Sequence, residues 1–227
     1  MTSGSIFPQR LTKIDDLARP DHYYLRVEDD CYFLGEYTAR KGYAFSATNQ
    51  LVLNFKKSMD KRGSAQWKYK DRAINDAATA FRAAINGEWL DTATLIPIPP
   101  SKVRNDPLYD DRLVRMLRAM RSQPPVNVRE VIVQRASMEA AHDAENRPRP
   151  EDIEANYTID EQLRNPPPQV IGLFDDVLTT GAHFRAASNL LERTYPGVRI
   201  IGVFIARRVP EAADIEDFDE SEESRRS

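Results

Sequence analysis

Two adjacent carboxylates, Asp175 and Asp176, follow a short apolar run at residues 170–174, and Val177, Leu178, Thr179, Thr180 and Gly181 come directly after them. Such a run reads as a buried strand, and open α/β sheets bind their ligands beyond the carboxyl ends of their strands. The hydroxyls of Thr179 and Thr180, with Gly181, then open a helix over residues 180–195. At that helix start, unpaired backbone N–H groups and the helix dipole favour a dianionic phosphate. Paired acids beside a phosphate cradle conflict, unless the acids accept hydrogen bonds from sugar hydroxyls or face a Mg2+ that offsets both groups. A sugar phosphate satisfies both halves.

The elements that must position these groups are legible around them. Residues 169–177 and the very apolar 198–209 read as core strands on either side of the helix, which makes a right-handed βαβ unit. Upstream, residues 93–100 form a short apolar strand running into prolines. Residues 110–120 place Leu113, Met116, Leu117 and Met120 on one helical face, and residues 128–134 are a β-branched strand. Residues 69–85 place Ile74, Ala77, Ala78, Phe81, Ala84 and Ile85 at spacings of three and four, an amphipathic helix that Asn86-Gly87 would stop. Residues 22–39 hold two aromatic-rich runs around Glu28-Asp29-Asp30 and predict a β-hairpin. Its Tyr23, Tyr24, Tyr32, Phe33 and Tyr37 serve either as packing residues or as a stacking platform. Residues 135–168 are polar, acidic and proline-broken, too long for an ordinary connector, and read as either a lid or a disordered segment.

The prediction is an α/β fold, with a central mainly parallel sheet flanked by helices and an N-terminal β-hairpin and helical hood. Residues 1–21 are an N-terminal tail, residues 22–210 the domain (hood 22–90, core 91–210) and residues 211–227 an acidic tail. Composition narrows the class. The chain has 227 residues, 41% hydrophobic and 30% charged, enough for a sizeable core beneath a charged surface. No stretch is apolar enough to span a membrane and residues 1–13 lack the apolar run of a secretion signal, so a cytoplasmic location is expected. Cys31 is the only cysteine, which forbids an internal disulfide. His22, His142 and His183 have no metal-ligand spacing, and Trp67 and Trp89 read as packing anchors. The net charge of -3 disfavours direct nucleic-acid binding; without the eight acids and two arginines of residues 211–227 it becomes +3. That tail is either a solubilising segment or a docking segment for a protein partner.

The segment VIGLFDDVLTTG, residues 170–181, resembles the phosphoribosyl-pyrophosphate (PRPP) motif of type I phosphoribosyltransferases, and IPIPPSK, residues 96–102, resembles the proline segment of their ComF-like branch. The resemblance implies a Rossmann-like fold and transfer of ribose 5-phosphate between PRPP and a nucleobase-like acceptor, with Mg2+ and release of pyrophosphate. It implies that Asp175 and Asp176 hold the ribose hydroxyls and, through them or through water, the Mg2+. Thr179, Thr180, Gly181 and Ala182 would hold the 5′-phosphate, with Val177, Leu178 and His183 in the same PRPP-binding segment. Pro100, Ser101 and Lys102 would meet the pyrophosphate, in a loop where a cis peptide bond at Pro99 or Pro100 costs little. Residues 135–157 would be the catalytic loop, with Arg135, Arg147 and Arg149 either reaching the pyrophosphate or remaining ordinary surface arginines. Lys102 has the same alternative.

Two departures stand out. Ala182-His183 replaces the family's Ala-Thr, so His183 either donates to phosphate or simply occupies the first helical turn. Residues 107–117 lack the Arg-Gly-Phe-Asn-Gln type opening of the ComF-like branch. They leave open base specificity and turnover, and with them the alternative of a non-catalytic PRPP or nucleotide-binding regulator or partner protein linked to DNA uptake or processing. A homodimer is a further expectation.

Overall fold

The structure, a computed structural model, describes residues 7–138 and 148–210. Expectations on Arg147, His142 and the acidic tail lie outside the described residues. The elements in chain order are β1 (Thr12–Lys13), β2 (Asp30–Thr38), α1 (Ala47–Phe55), α2 (Trp67–Ala84), α3 (Gly87–Thr92), β3 (Ala93–Pro97) and α4 (Arg112–Met120). There follow β4 (Asn127–Val128), β5 (Ile132–Gln134), α5 (Pro150–Ala155), β6 (Tyr157–Ile159), β7 (Val170–Leu178), α6 (Ala182–Thr194) and β8 (Arg199–Val209).

Among the described residues six strands make one sheet in the order β1-β2-β8-β7-β3-β4, parallel throughout except for β1. The chain is therefore α/β with a mainly parallel sheet, as its strand patterns predict. β7 and β8 lie between neighbours and under helices on both faces, which is why they are apolar without alternation. α1, α2 and α4 cover one face, where Phe81 meets Phe174 edge-on at 5.5 Å. α6, α5 and the small β5-β6 sheet cover the other, where Phe184 meets Phe204 at 6.0 Å. Trp89 packs across Gly172: a Cβ there would lie 2.7 Å from its ring.

The connection from β3 through α4 to β4 runs toward one edge of the sheet. The connection from β7 through α6 to β8 runs toward the other, with its helix on the opposite face. The carboxyl ends of β3 and β7 thus flank a topological switch point, where diverging loops leave a crevice.

The N-terminal hairpin is corrected. β2 pairs in parallel with β8, from Asp30 opposite Ile201 to Thr38 opposite Val209, and residues 19–29 form a 3-10 helix and turns instead of a strand. Glu28-Asp29-Asp30 looked like a solvent turn, but Asp29 is paired with Arg185 and Asp30 with Lys13 and Arg199. Residues 12–14, read as tail, contribute β1 and the buried Ile14. Residues 128–134 are not one strand. Arg129 N bonds Leu95 O, and the chain then leaves the main sheet so that β5 pairs with β6. Asn86 does more than stop α2: its side chain caps α3 by accepting from Glu88 N and Trp89 N.

Candidate functional site

A cleft of about 1400 Å³ opens at the switch point, between the residues after β3 and those after β7. Pro100, Ser101, Lys102, Asp175, Asp176, Val177, Thr179, Thr180, Ala182, His183 and Arg135 all line it. Leu178 turns into the core, 2% exposed. Gly181 backs the loop: its φ of 87° is left-handed, and a Cβ there would meet Leu25 at 3.1 Å. Arg149, outside that lining, supplies the backbone N-cap of α5.

The loop of residues 179–181 is strapped from behind. His22 Nδ1 bonds the Thr179 carbonyl, Tyr24 N bonds the Thr180 carbonyl at 3.0 Å, and Leu25 packs on Gly181. Arg185, 6% exposed, ties the strap to α6 through Tyr24 O and Asp29. With those carbonyls engaged on the strap, no acceptor meets the amides of Thr180, Gly181, Ala182 or His183 among the described residues. The facing loop is laced to the end of β5. Gln134 Nε2 donates to Pro100 O at 2.6 Å, Met138 N to Ser101 O at 2.7 Å, and Val103 N to Ser137 Oγ at 3.2 Å. Its prolines are trans; among the described residues the cis bonds precede Pro124 and Pro166.

The two acids have different surroundings. Asp176, 4% exposed, takes Lys56 Nζ on Oδ1 at 3.1 Å and Arg112 Nε and Nη2 on Oδ2 at 3.1 and 2.6 Å. Arg112 also donates to Asp110 Oδ2 at 2.6 Å, which Lys70 reaches at 2.7 Å. Burial alone would raise the Asp176 carboxyl, but Lys56 and Arg112 outweigh it and hold the group well below the usual carboxylate range. Asp175 accepts only the Asp176 amide, at 2.7 Å, among the described residues. Burial and then the neighbouring Asp176 charge push it up to about 7.

Sequence reasoning missed Arg112, Lys56, Asp110 and Tyr157. The available signal was indirect: a carboxylate delivered to a buried strand end needs a buried cation, and Arg112 is the one cation that opens the helix after the proline loop. Tyr157 Oη lies 3.2 Å from His183 Nδ1. His183 is exposed in the cleft, yet desolvation by the protein around it lowers its pKa, with Asp176 opposing that and Lys56 adding to it. The tyrosines of the expected hairpin do not line the cleft; Tyr23 is 63% exposed, and the tyrosine that does is Tyr109. Among the described residues no group of three His, Cys, Asp or Glu converges as a metal cage. No protein-family model and no curated protein sequence matches the chain.

Proposed function

We propose that the protein binds PRPP with Mg2+ and transfers its ribose 5-phosphate to a nitrogenous base, or runs the reverse reaction. The observation that carries this reading is the meeting, in one cleft, of Asp175, Thr179, Thr180 and His183 with the proline loop of residues 100–102. The loop amides and the Thr179 and Thr180 hydroxyls bind the 5′-phosphate. Asp175 accepts from the ribose hydroxyls, and Asp176 anchors Arg112 and Lys56 behind it. Lys102 and Arg135 face the pyrophosphate as the bond from its oxygen to the anomeric carbon breaks and the bond from the base nitrogen forms. A bound Mg2+ supplies charge neutralisation of the pyrophosphate, with Asp175 as the carboxylate that meets it directly or through water. The protein's contribution is positioning and fixed electrostatics.

A second reading, a PRPP-binding regulator without turnover, is favoured by one observation: Asp176 is fully engaged by Lys56 and Arg112, which leaves a single carboxylate for the sugar. A screen for pyrophosphate release with PRPP, Mg2+ and a panel of purine and pyrimidine bases separates the two. Release with one base establishes the transferase, whereas PRPP binding with no release across the panel establishes the regulator.

A further inference from the structure

We propose that Tyr157 is a positioning residue that holds His183 as a neutral Nε2–H donor to the phosphate of the cleft's ligand. This rests on the reading of the cleft as a phosphate site, and it assigns one donor and the group that sets it. Tyr157 comes from β6 and is 2% exposed, and its hydroxyl has one side-chain partner among the described residues, His183 Nδ1 at 3.2 Å. A neutral imidazole has one donor and one acceptor nitrogen. If Nδ1 carried the proton and donated to Oη, the buried phenol proton would have no acceptor among the described residues, an arrangement that costs more than a satisfied one. The phenol therefore donates to Nδ1, and the imidazole proton resides on Nε2.

The charged groups acting on His183 are Asp176 and Lys56, with Asp176 already neutralised by Lys56 and Arg112. Desolvation by the surrounding protein is the largest influence on the ring and lowers its pKa below the ordinary histidine value, which favours the neutral form against the pull of Asp176. No protein acceptor meets Nε2 among the described residues, and the ring lines the cleft. An N–H in that position complements an anion. His22 supplies an internal contrast: its Nδ1 faces the Thr179 carbonyl, which only accepts, so His22 is the Nδ1–H tautomer. Two neutral histidines of opposite tautomer flank the same loop.

The test is nitrogen NMR of the intact protein labelled with ¹⁵N-histidine, with ring signals assigned through His22→Asn and His142→Asn. The expected spectrum has His183 protonated at Nε2 and His22 at Nδ1. Titration with ribose 5-phosphate moves the His183 Nε2–H signal. Tyr157→Phe mixes the His183 tautomers and weakens ribose 5-phosphate binding about fivefold, the loss of one net hydrogen bond. His183→Gln, which keeps a donor at the Nε2 position, loses less affinity than His183→Leu. His183 protonated at Nδ1 in the unaltered protein, or a tautomer indifferent to Tyr157→Phe, overturns the inference. Ribose 5-phosphate that moves the Thr179 and Thr180 amides but leaves His183 unmoved also overturns it, while the phosphate reading stands. No shift anywhere overturns both.

Discussion

Arg112 closes on Asp176 from 64 residues upstream in the chain, with Nε and Nη2 both donating to Oδ2 at 3.1 and 2.6 Å. The same guanidinium holds Asp110, so one partly buried cation joins α4 and the residues before it to the end of β7. The neighbouring acids therefore differ: Asp176 is paired with two cations, while Asp175 accepts only the Asp176 amide among the described residues.

Arg112→Met removes that cation while Asp176 and Asp110 stay buried, with only Lys56 and Lys70 to balance them. Breaking a buried pair in this way costs about 3 kcal/mol, read as a lower urea midpoint. Asp176→Asn in the Arg112→Met background relieves the unpaired charge, so the double variant loses less stability than the sum of the single ones. Additive losses would show that Arg112 and Asp176 do not act as a pair.

Asp175 titrates near 7, against an ordinary value of 3.8. The folded state then binds more protons than the unfolded chain between those values, so this group's contribution to stability is complete below 3.8 and falls as pH rises toward 7. Asp175→Asn has no such loss. Its stability relative to the unaltered protein therefore increases from pH 5 to pH 8 in chemical-denaturation curves; a difference independent of pH would contradict the assignment. Ligand binding shows the opposite trend: a carboxylate must accept from ribose hydroxyls, so affinity for PRPP with Mg2+ strengthens as pH rises through 7.

His22 is fully buried, and its Nε2 has no partner among the described residues. Burial lowers its pKa. It therefore stabilises the fold fully above the ordinary histidine value of 6.5, and that contribution is lost as pH falls through the lowered value. His22→Ala removes the bond to the Thr179 carbonyl and costs about 1 to 3 kcal/mol, with weaker binding of ribose 5-phosphate. His22→Asn places an amide donor near the Nδ1 position and recovers part of both losses. Equal losses in the two variants would show that the hydrogen bond is not what positions the loop.

The most local features were the most legible. β7 and α6 could be read because residues 170–181 contain strand, loop and left-handed glycine in unbroken succession, and α2 because Ala77, Ala78 and Phe81 repeat with the helix period. β2 was misread because its partner β8 lies far along the chain: the pattern of residues 30–38 fits a hairpin strand and a parallel strand equally well. The 128–134 run looked like one strand because nothing in its residue types records that Val131 and Ile132 turn away to serve β6. Arg112 stayed hidden among the arginines of an amphipathic helix, since only the folded chain brings it to Asp176.

Calorimetric titration of the full chain with PRPP and Mg2+, set beside the same titration of Asp175→Asn, tests the central claim most directly. The account predicts saturable binding by the unaltered protein, lost by about tenfold or more in Asp175→Asn, as for removal of an acceptor of charge-assisted hydrogen bonds. Absence of PRPP binding by the unaltered protein, or equal affinity in the variant, would contradict it.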